Sequence, residues 1–328
     1  MTGTAPRRIT TALLLPAILL FTAPLRADDV PSNARPPKSD SELRYWLENL
    51  TQYHRFTPEE VQQATGIEPV ALSAELKRLK IIADKPPVLP TNRIFLLPFP
   101  GGRHPRIGFL EGAVNPQRET KVSVFTPWQP PDRSRADFVV VDVPEAVFSN
   151  LGLTYLAHTH VPTIWTKQGV TLPPLEWTRH DDGSLTLTRT LPNKIAYTAE
   201  VHPQKDHVAM TLSLTNGTDQ TLTDLRVQNC VMLKDAAGFN EQTNRNKRLV
   251  APYAAVHDDA GKRWIITAWT PNNRTWGNDK CPCLHSDPKF PDCAPGETKT
   301  LRGWLSFYEG IEIDAEIRRI VALKWDQP

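Results

Sequence analysis

The sequence predicts a mainly β protein: a large antiparallel β-sandwich preceded by a small three-helix N-terminal module. Apolar residues recur at helical spacing mainly before residue 85. After the stiff segment KPPVLP, residues 85–90, the period changes to two in many short runs rich in β-branched and aromatic residues. No long helical pattern separates these runs, which indicates antiparallel rather than alternating βαβ architecture. One short helix is expected from about residue 314 to residue 323.

Residues 1–27 are predicted to be a cleaved signal peptide. Arg7 and Arg8 precede the apolar run from Ala12 to Leu25, and Ala27 supplies the small residue expected at a cleavage point. The run is too short to span a bilayer well. We therefore expect an exported protein, periplasmic or extracellular, without membrane contact after signal removal. The alternative is an uncleaved anchor.

The charge balance does not favour nucleic acid as a partner. The chain has 38 basic and 36 acidic residues, and loss of residues 1–27, with three arginines and no acid, leaves 35 basic residues and a net charge of −1. Nothing in that balance favours nucleic acid or anionic membrane as a partner.

A polar, proline-rich linker, residues 28–38, is expected to lead into a helical module at 39–84. The first helix follows Ser and Asp candidates for its N-cap. The second begins with a capping box made by Thr57 and Glu60 and ends at Gly66. The third runs from about residue 70 to residue 80.

Residues 57–81, TPEEVQQATGIEPVALSAELKRLKI, resemble the helix-turn-helix of bacterial regulators. The resemblance implies DNA reading by the third helix, which carries Lys77, Arg78 and Lys80. An exported chain meets no DNA, so we interpret the segment as a small three-helix packing unit without nucleic-acid function.

Residues 91–328 are predicted to form the β-sandwich. Residues 194–233 and 295–310 are similar to the middle and closing strands of the galactose mutarotase-like sandwiches, a resemblance that touches about 90–312. It implies a two-sheet sandwich whose concave face handles carbohydrate. Residues 228–232 lack the family's catalytic histidine, so the mutarotase mechanism is not carried over. Glu309, in the closing strand, is the candidate for the family's catalytic base.

The first catalytic candidates within the β region are His158 and His160. In a strand both would project to one face, about 6.5–7 Å apart along the chain. They are interpreted as catalytic in a sugar site, as general base and electrostatic partner. Alternatively they share a divalent metal ion, or one is a buried structural histidine and the other is exposed. No other cofactor is expected.

Substrate-binding candidates lie in the segment 100–121, namely Arg103, His104, Arg106 and Arg118. Arginine forks bind carboxylates or sulfates of acidic sugars bidentately. The alternative is ordinary ion pairing of Arg118 and Glu119 with neighbouring loops. Two further candidates are Trp276, in the polar stretch 272–279 predicted to be a loop, and His285.

Four cysteines occur in the chain: Cys230, Cys281, Cys283 and Cys293. An even count in an exported protein favours disulfides, and Cys281 and Cys283 are too close to pair with each other. We expect one of them to bond Cys293 and the other Cys230. His285 would then lie on a disulfide-crosslinked loop. The alternative is zinc or copper held by Cys281, Cys283, Cys293 and His285.

The functional prediction is an exported protein that binds or processes carbohydrate on one face of a β-sandwich. The first alternative is a metal-dependent enzyme centred on the His-x-His pair. The second is a non-catalytic envelope or assembly module. The sequence does not decide whether the protein is an enzyme.

Overall fold

The predicted fold class is confirmed. A computed structural model describes Met1 and residues 34–83, 85, 88–101, 118–128, 137–157 and 161–327. Three antiparallel sheets are preceded by α1–α3 and followed by α4. Apart from Met1, the predicted signal peptide lies outside the described residues, and the described helices include none long and apolar enough to cross a membrane.

The helices begin and end where the sequence predicts them. Their bounds are α1 (Asp40–Glu48), continued by a π-helical stretch (Asn49–Tyr53), α2 (Pro58–Thr65), α3 (Pro69–Arg78) and α4 (Ile313–Ala322). The Ser39 hydroxyl accepts the Glu42 backbone N–H at the start of α1. The predicted capping box of Thr57 and Glu60 is formed. Gly66 ends α2 with φ of 77°, a conformation that favours glycine.

A six-stranded sheet carries the features important for function. In spatial order its strands are β1 (Leu96–Pro98), β2 (Lys121–Phe125), β3 (Phe138–Asp142), β11 (Cys230–Met232), β16 (Cys283–Pro288) and β15 (Asn272–Asn278). The predicted loop around Trp276 is thus an edge strand, because its backbone pairs with β16 while Asn273 and Arg274 stay exposed.

The opposing sheet has eight strands. In spatial order these are β12 (Lys247–Val250), β13 (Tyr253–His257), β14 (Arg263–Thr270), β17 (Thr298–Glu309), β9 (His207–Asn216), β8 (Ile195–Pro203), β7 (Leu185–Thr190) and β6 (Thr178–Arg179). A short 3-10 turn (Thr166–Gln168) precedes β6.

The third sheet is small, with the order β10 (Val227–Gln228), β4 (Ala146–Ser149) and β5 (Gly152–Leu156). The run DLRVQNCVML was predicted as one strand, but it divides at Asn229 between β10 and β11 in two sheets. There the Asn229 backbone N–H donates to Asp287 Oδ1 at 3.2 Å instead of continuing either ladder.

Strand alternation places the main core between the six- and eight-stranded sheets. Val122, Val141, Val231 and Leu284 face inward with residues of the larger sheet. The other face of the six-stranded sheet is the outer face. There α1–α3 share a second apolar cluster with the sheet, and α4 covers part of the larger sheet's outside.

Candidate functional site

A row of polar side chains crosses the outer face of the six-stranded sheet. It consists of Lys121, Asp142, Cys230, His285 and Trp276, one from each of β2, β3, β11, β16 and β15. Lys121 is opposite Asp142, Cys230 is opposite His285, and His285 is opposite Trp276. We call these five residues the polar row. Antiparallel pairing explains it, because directly opposed residues project to the same face.

Two carboxylates and an ammonium group lie at the β2–β3 end of the polar row. Lys121 is fully buried; its Nζ lies 3.2 Å from Asp142 Oδ1 and donates to the Ala157 carbonyl at 3.1 Å. Glu145 Oε2 accepts from Gln228 Nε2 at 2.9 Å. Carboxylate oxygens of Asp142 and Glu145 and the Cys230 thiol lie within 4.8 Å of one another. Because burying charge is costly, such a cluster is a candidate functional site.

A thiol–imidazole cluster occupies the middle of the polar row. Ligand atoms of Cys230, Cys283 and His285 lie within 4.8 Å of one another, and all three residues are buried. Cys283 Sγ is 3.3 Å from His285 Nε2. The Cys281 thiol also contacts that of Cys283. These thiol contacts and burial raise the pKa of Cys283.

Asp287 lies beside the other ring nitrogen of His285. His285 Nδ1 lies 3.5 Å from Asp287 Oδ1. Burial alone would lower the pKa of His285, but the charges of Cys230 and Asp287 raise it to about 9. Burial alone would raise the pKa of Asp287, but its contacts with His285, Trp276 and Arg274 lower it. The Asp287 carboxylate thus places a negative charge beside the imidazole ring, although Nδ1 makes no hydrogen bond to a described residue.

Trp276 closes the polar row at the sheet edge. Its ring stacks on His285 with centroids 4.1 Å apart and an interplanar angle of 15°. Its indole N–H donates to Asp287 Oδ2 at 2.6 Å, and the Arg274 guanidinium lies 4.4 Å from its ring centroid. The half-buried ring therefore packs against His285 from a strand rather than from the predicted loop. Its predicted role in substrate binding stays a prediction.

Asn229 is buried where β10 leads into β11, and its backbone N–H donates to Asp287 of the neighbouring strand. Both its amide oxygen and its amide nitrogen lack a hydrogen-bond partner among the described residues. A buried amide without partners costs about 1–3 kcal/mol. The Asn229 amide is therefore a buried hydrogen-bonding group that no described residue satisfies.

The structure brings together two of the predicted site residues and separates others. Trp276 and His285 meet, although His285 is buried in β16 rather than presented on a disulfide-crosslinked loop. Glu309, the predicted catalytic base, is the last residue of β17 in the eight-stranded sheet, and it is exposed. In the strand register it lies opposite Arg263 of β14. Glu309 therefore belongs to a different sheet from the polar row.

Arg118 has structural partners. It is buried, donates to Glu176 and to the carbonyls of Ala64 and Pro100, and lies 4.2 Å from the Trp46 ring centroid. This arrangement matches the alternative of ordinary pairing for this segment. The adjacent Glu119 lies between two arginines, at 2.8 Å from Arg35 and 2.7 Å from Arg189.

Five predicted site residues lie outside the described residues: Arg103, His104, Arg106, His158 and His160. Their roles stay predictions.

The structure does not show the predicted disulfides, and all four cysteine side chains are buried. Cys293 lies apart from the thiol–imidazole cluster, in the core between the sheets. Its thiol donates to the Glu297 carbonyl at 3.3 Å, and its backbone pairs with Leu222. The alternative metal set of the sequence analysis therefore changes, because Cys230 takes the place assigned to Cys293.

Lys121, Asp142, Glu145 and Asn229 were missed as site residues. The available signal was a charged residue at the end of each apolar run, KVSVF and FVVVD. That signal is weak because outward-facing polar residues are ordinary in half-exposed strands.

No protein-family model matches the sequence, and no curated protein matches it significantly. Solved structures of similar fold include a protein described as an aldose 1-epimerase from Escherichia coli K12. The TM-score is 0.35 at 15% identity, covering 58% of this chain and 96% of that chain. The galactose mutarotase-like resemblance stated from the sequence thus has a counterpart among the structural similarities, which at this TM-score carries no argument about family or activity.

Two further structures are similar over part of their length. A heparan sulfate lyase from Pedobacter heparinus gives a TM-score of 0.32 at 10% identity, over 73% of this chain and 39% of that chain. A protein described as a kojibiose phosphorylase from the human microbiome gives a TM-score of 0.33 at 7% identity, over 58% of this chain and 26% of that chain. This chain therefore spans well under half of these two proteins. At such values the similarity carries no inference about activity.

Proposed function

We propose that this protein is a carbohydrate-processing enzyme whose site lies at the Lys121–Asp142 end of the polar row. The observation that carries the proposal is the burial of two neighbouring carboxylates, Asp142 and Glu145, beside the Lys121 ammonium. Charged groups are almost never fully buried unless they are paired, and a buried cluster with more carboxylates than cations is a candidate functional site. Paired carboxyl groups are the usual means by which sugar-cleaving sites donate and accept protons.

The two carboxyl groups have unlike neighbours. Asp142 faces the Lys121 ammonium at 3.2 Å, whereas Glu145 accepts from the neutral amide of Gln228 at 2.9 Å. Carboxyl groups in unlike surroundings divide the roles of proton acceptor and proton donor. We assign Asp142 as the acceptor and Glu145 as the donor in this proposal.

Asn229 supplies recognition in the same proposal. Its buried amide offers one acceptor and two donor hydrogens, which match the alternating donor and acceptor character of sugar hydroxyls. A site built to hydrogen-bond hydroxyl groups discriminates strongly against ligands that lack them. Asn229 is therefore assigned to hydroxyl recognition.

The proposal includes export. Residues 1–27 are removed as a signal peptide, and the protein binds its sugar outside the cytoplasm. It also keeps the predicted roles of His158 and His160 in catalysis and of Arg103, His104 and Arg106 in binding acidic groups. The alternative of a non-catalytic binding module differs in one outcome, since it predicts sugar binding without turnover.

A turnover screen with matched variants tests this function. The exported chain is incubated with a panel of neutral and acidic oligosaccharides, and products are followed by chromatography and mass spectrometry. Replacing Asp142 by Asn or Glu145 by Gln should lower turnover by about 10²- to 10⁴-fold. Glu200→Gln, on the outside of the eight-stranded sheet, is the matched control and should keep it. Full activity of both carboxylate variants, or no sugar processed by the parent, would overturn the proposal.

A further inference from the structure

The thiol–imidazole cluster contains donors of a chemical type that the carbohydrate proposal does not use. Cys230 and His285 are directly opposite each other on β11 and β16, and Cys283 lies two residues before His285 on the same face. The donors thus come from two neighbouring strands, β11 and β16. The turn that precedes β16 adds the Cys281 thiol, which contacts that of Cys283.

The separations suit a tetrahedral metal site. Zinc binds sulfur at about 2.3 Å and imidazole nitrogen at about 2.0–2.1 Å, so the two donor atoms lie about 3.6 Å apart around one ion. Cys283 Sγ and His285 Nε2 are 3.3 Å apart, and the Cys230 thiol is within 4.8 Å of both. Small rotamer shifts bring three donors to one ion. The Cys281 thiol, which contacts that of Cys283, is a candidate for the fourth donor.

The orientation of His285 supports the same conclusion. Its Nε2 points to the thiols, while its Nδ1 lies 3.5 Å from Asp287. Metal-binding histidines commonly donate their second ring N–H to a carboxylate, which fixes the tautomer and strengthens the metal bond. Asp287 is itself held by the Asn229 backbone N–H, Trp276 and Arg274.

We propose that Cys230, Cys283 and His285 bind a thiophilic metal ion, Zn²⁺ or Cu⁺. Two thiols and an imidazole select such ions over Mg²⁺ or Ca²⁺, which prefer oxygen donors. On binding, the two thiols become thiolates and their protons pass to the solvent. The inference does not depend on the carbohydrate proposal, because metal binding is measured without any sugar.

Alkylation protection tests the site in the unaltered protein. The full chain is reduced, freed of metal with a chelator, and titrated separately with Zn²⁺ and with Cu⁺ before brief treatment with an alkylating reagent. Peptide mapping should show that one of the two ions protects Cys230 and Cys283, while Cys293 reacts at the same rate with and without metal. The ion that protects at the lower concentration identifies the metal. Failure of both ions to protect Cys230 and Cys283 would overturn the proposal.

Cobalt substitution with matched cysteine variants provides the second measurement. Co²⁺ bound by thiolates gives a sulfur-to-metal charge-transfer band, which the parent protein should show. Cys230→Ser and Cys283→Ser should weaken cobalt binding by at least about tenfold. Cys293→Ser is the control and should bind like the parent. A band that is absent from the parent, or lost equally in Cys293→Ser, would contradict the assignment. So would a Cys230–Cys283 disulfide in protein isolated from its own compartment without reductant.

Discussion

Cys230 and His285 face each other across β11 and β16, although 55 positions separate them in the sequence. Their pairing joins the thiol–imidazole cluster to the carboxylates at the other end of the polar row. Cys230 belongs to both groups. A substitution at Cys230 should therefore alter both the thiol–imidazole cluster and the carboxylate cluster.

Asp287 is expected to be a positioning residue for His285. Asp287→Asn should weaken Zn²⁺ or Cu⁺ binding by about 10- to 100-fold, because the amide supports the His285 N–H less well than a carboxylate does. The dissociation constant is measured by competition with a chelator of known affinity, next to the free energy of unfolding in urea. Unchanged metal affinity with lowered stability would show that Asp287 acts only in packing. Asp224→Asn, in an exposed pair with Arg226 and Lys289, is the control.

Glu119 is expected to be a main contributor to stability. Glu119→Gln removes the negative charge between Arg35 and Arg189 and leaves buried guanidinium charge uncompensated. Breaking a buried pair in this way costs about 3–5 kcal/mol. The free energy of unfolding in urea measures the effect. Glu48→Gln, which removes the exposed pair with Arg44, should cost less than about 1 kcal/mol. Equal stabilities of the two variants would contradict this role.

The helical module is expected to unfold together with the sheet. Leu47 is fully buried in the apolar cluster that α1 shares with Phe138 and Met232. Leu47→Ala should cost about 2–5 kcal/mol and lower the stability of the whole protein. Urea unfolding is followed by far-ultraviolet circular dichroism and by tryptophan fluorescence. Coincident transitions are expected, whereas a separate early helical transition would show that residues 39–84 form an independent domain.

Local signals predicted the helices well, because a helix cap is formed by residues that are close together in the sequence. Thr57, Glu60 and Gly66 are examples. The strands were likewise apparent from alternation, but their pairing was not. The polar row joins residues 121, 142, 230, 276 and 285, and only the register of four strand pairs brings them to one face. Sequence spacing carries no direct record of such register.

The cysteines show the same limit. Their number and the predicted compartment suggested disulfides, with one of Cys281 and Cys283 bonded to Cys293 and the other to Cys230. The structure brings Cys230 close to Cys283, in line with the expected proximity of these two residues, but it places Cys293 in the other apolar core. Cys230 reaches the thiol–imidazole cluster because the run DLRVQNCVML divides at Asn229 between two sheets. The residue pattern of the run did not predict that division.

The predicted signal peptide leads to a direct measurement. Intact-mass analysis of protein recovered from outside the cytoplasm should show a chain that begins near Asp28. Replacing Arg7 and Arg8 by acidic residues should reduce export, because the positive n-region is part of the signal. Recovery of the intact Met1 chain from the envelope would contradict cleavage.

The structure of the protein with a bound oligosaccharide tests the central claim most directly. The best ligand of the turnover screen is bound to the Glu145→Gln variant, so that turnover is slowed and the complex can be crystallised. The account predicts sugar oxygens within about 2.6–3.2 Å of Asp142 and of the Asn229 amide. The outside of the eight-stranded sheet, where Thr188 pairs with Thr198 and Ser213 with Thr300, should carry no sugar. A sugar on that threonine face, with none at Asp142, would contradict the account.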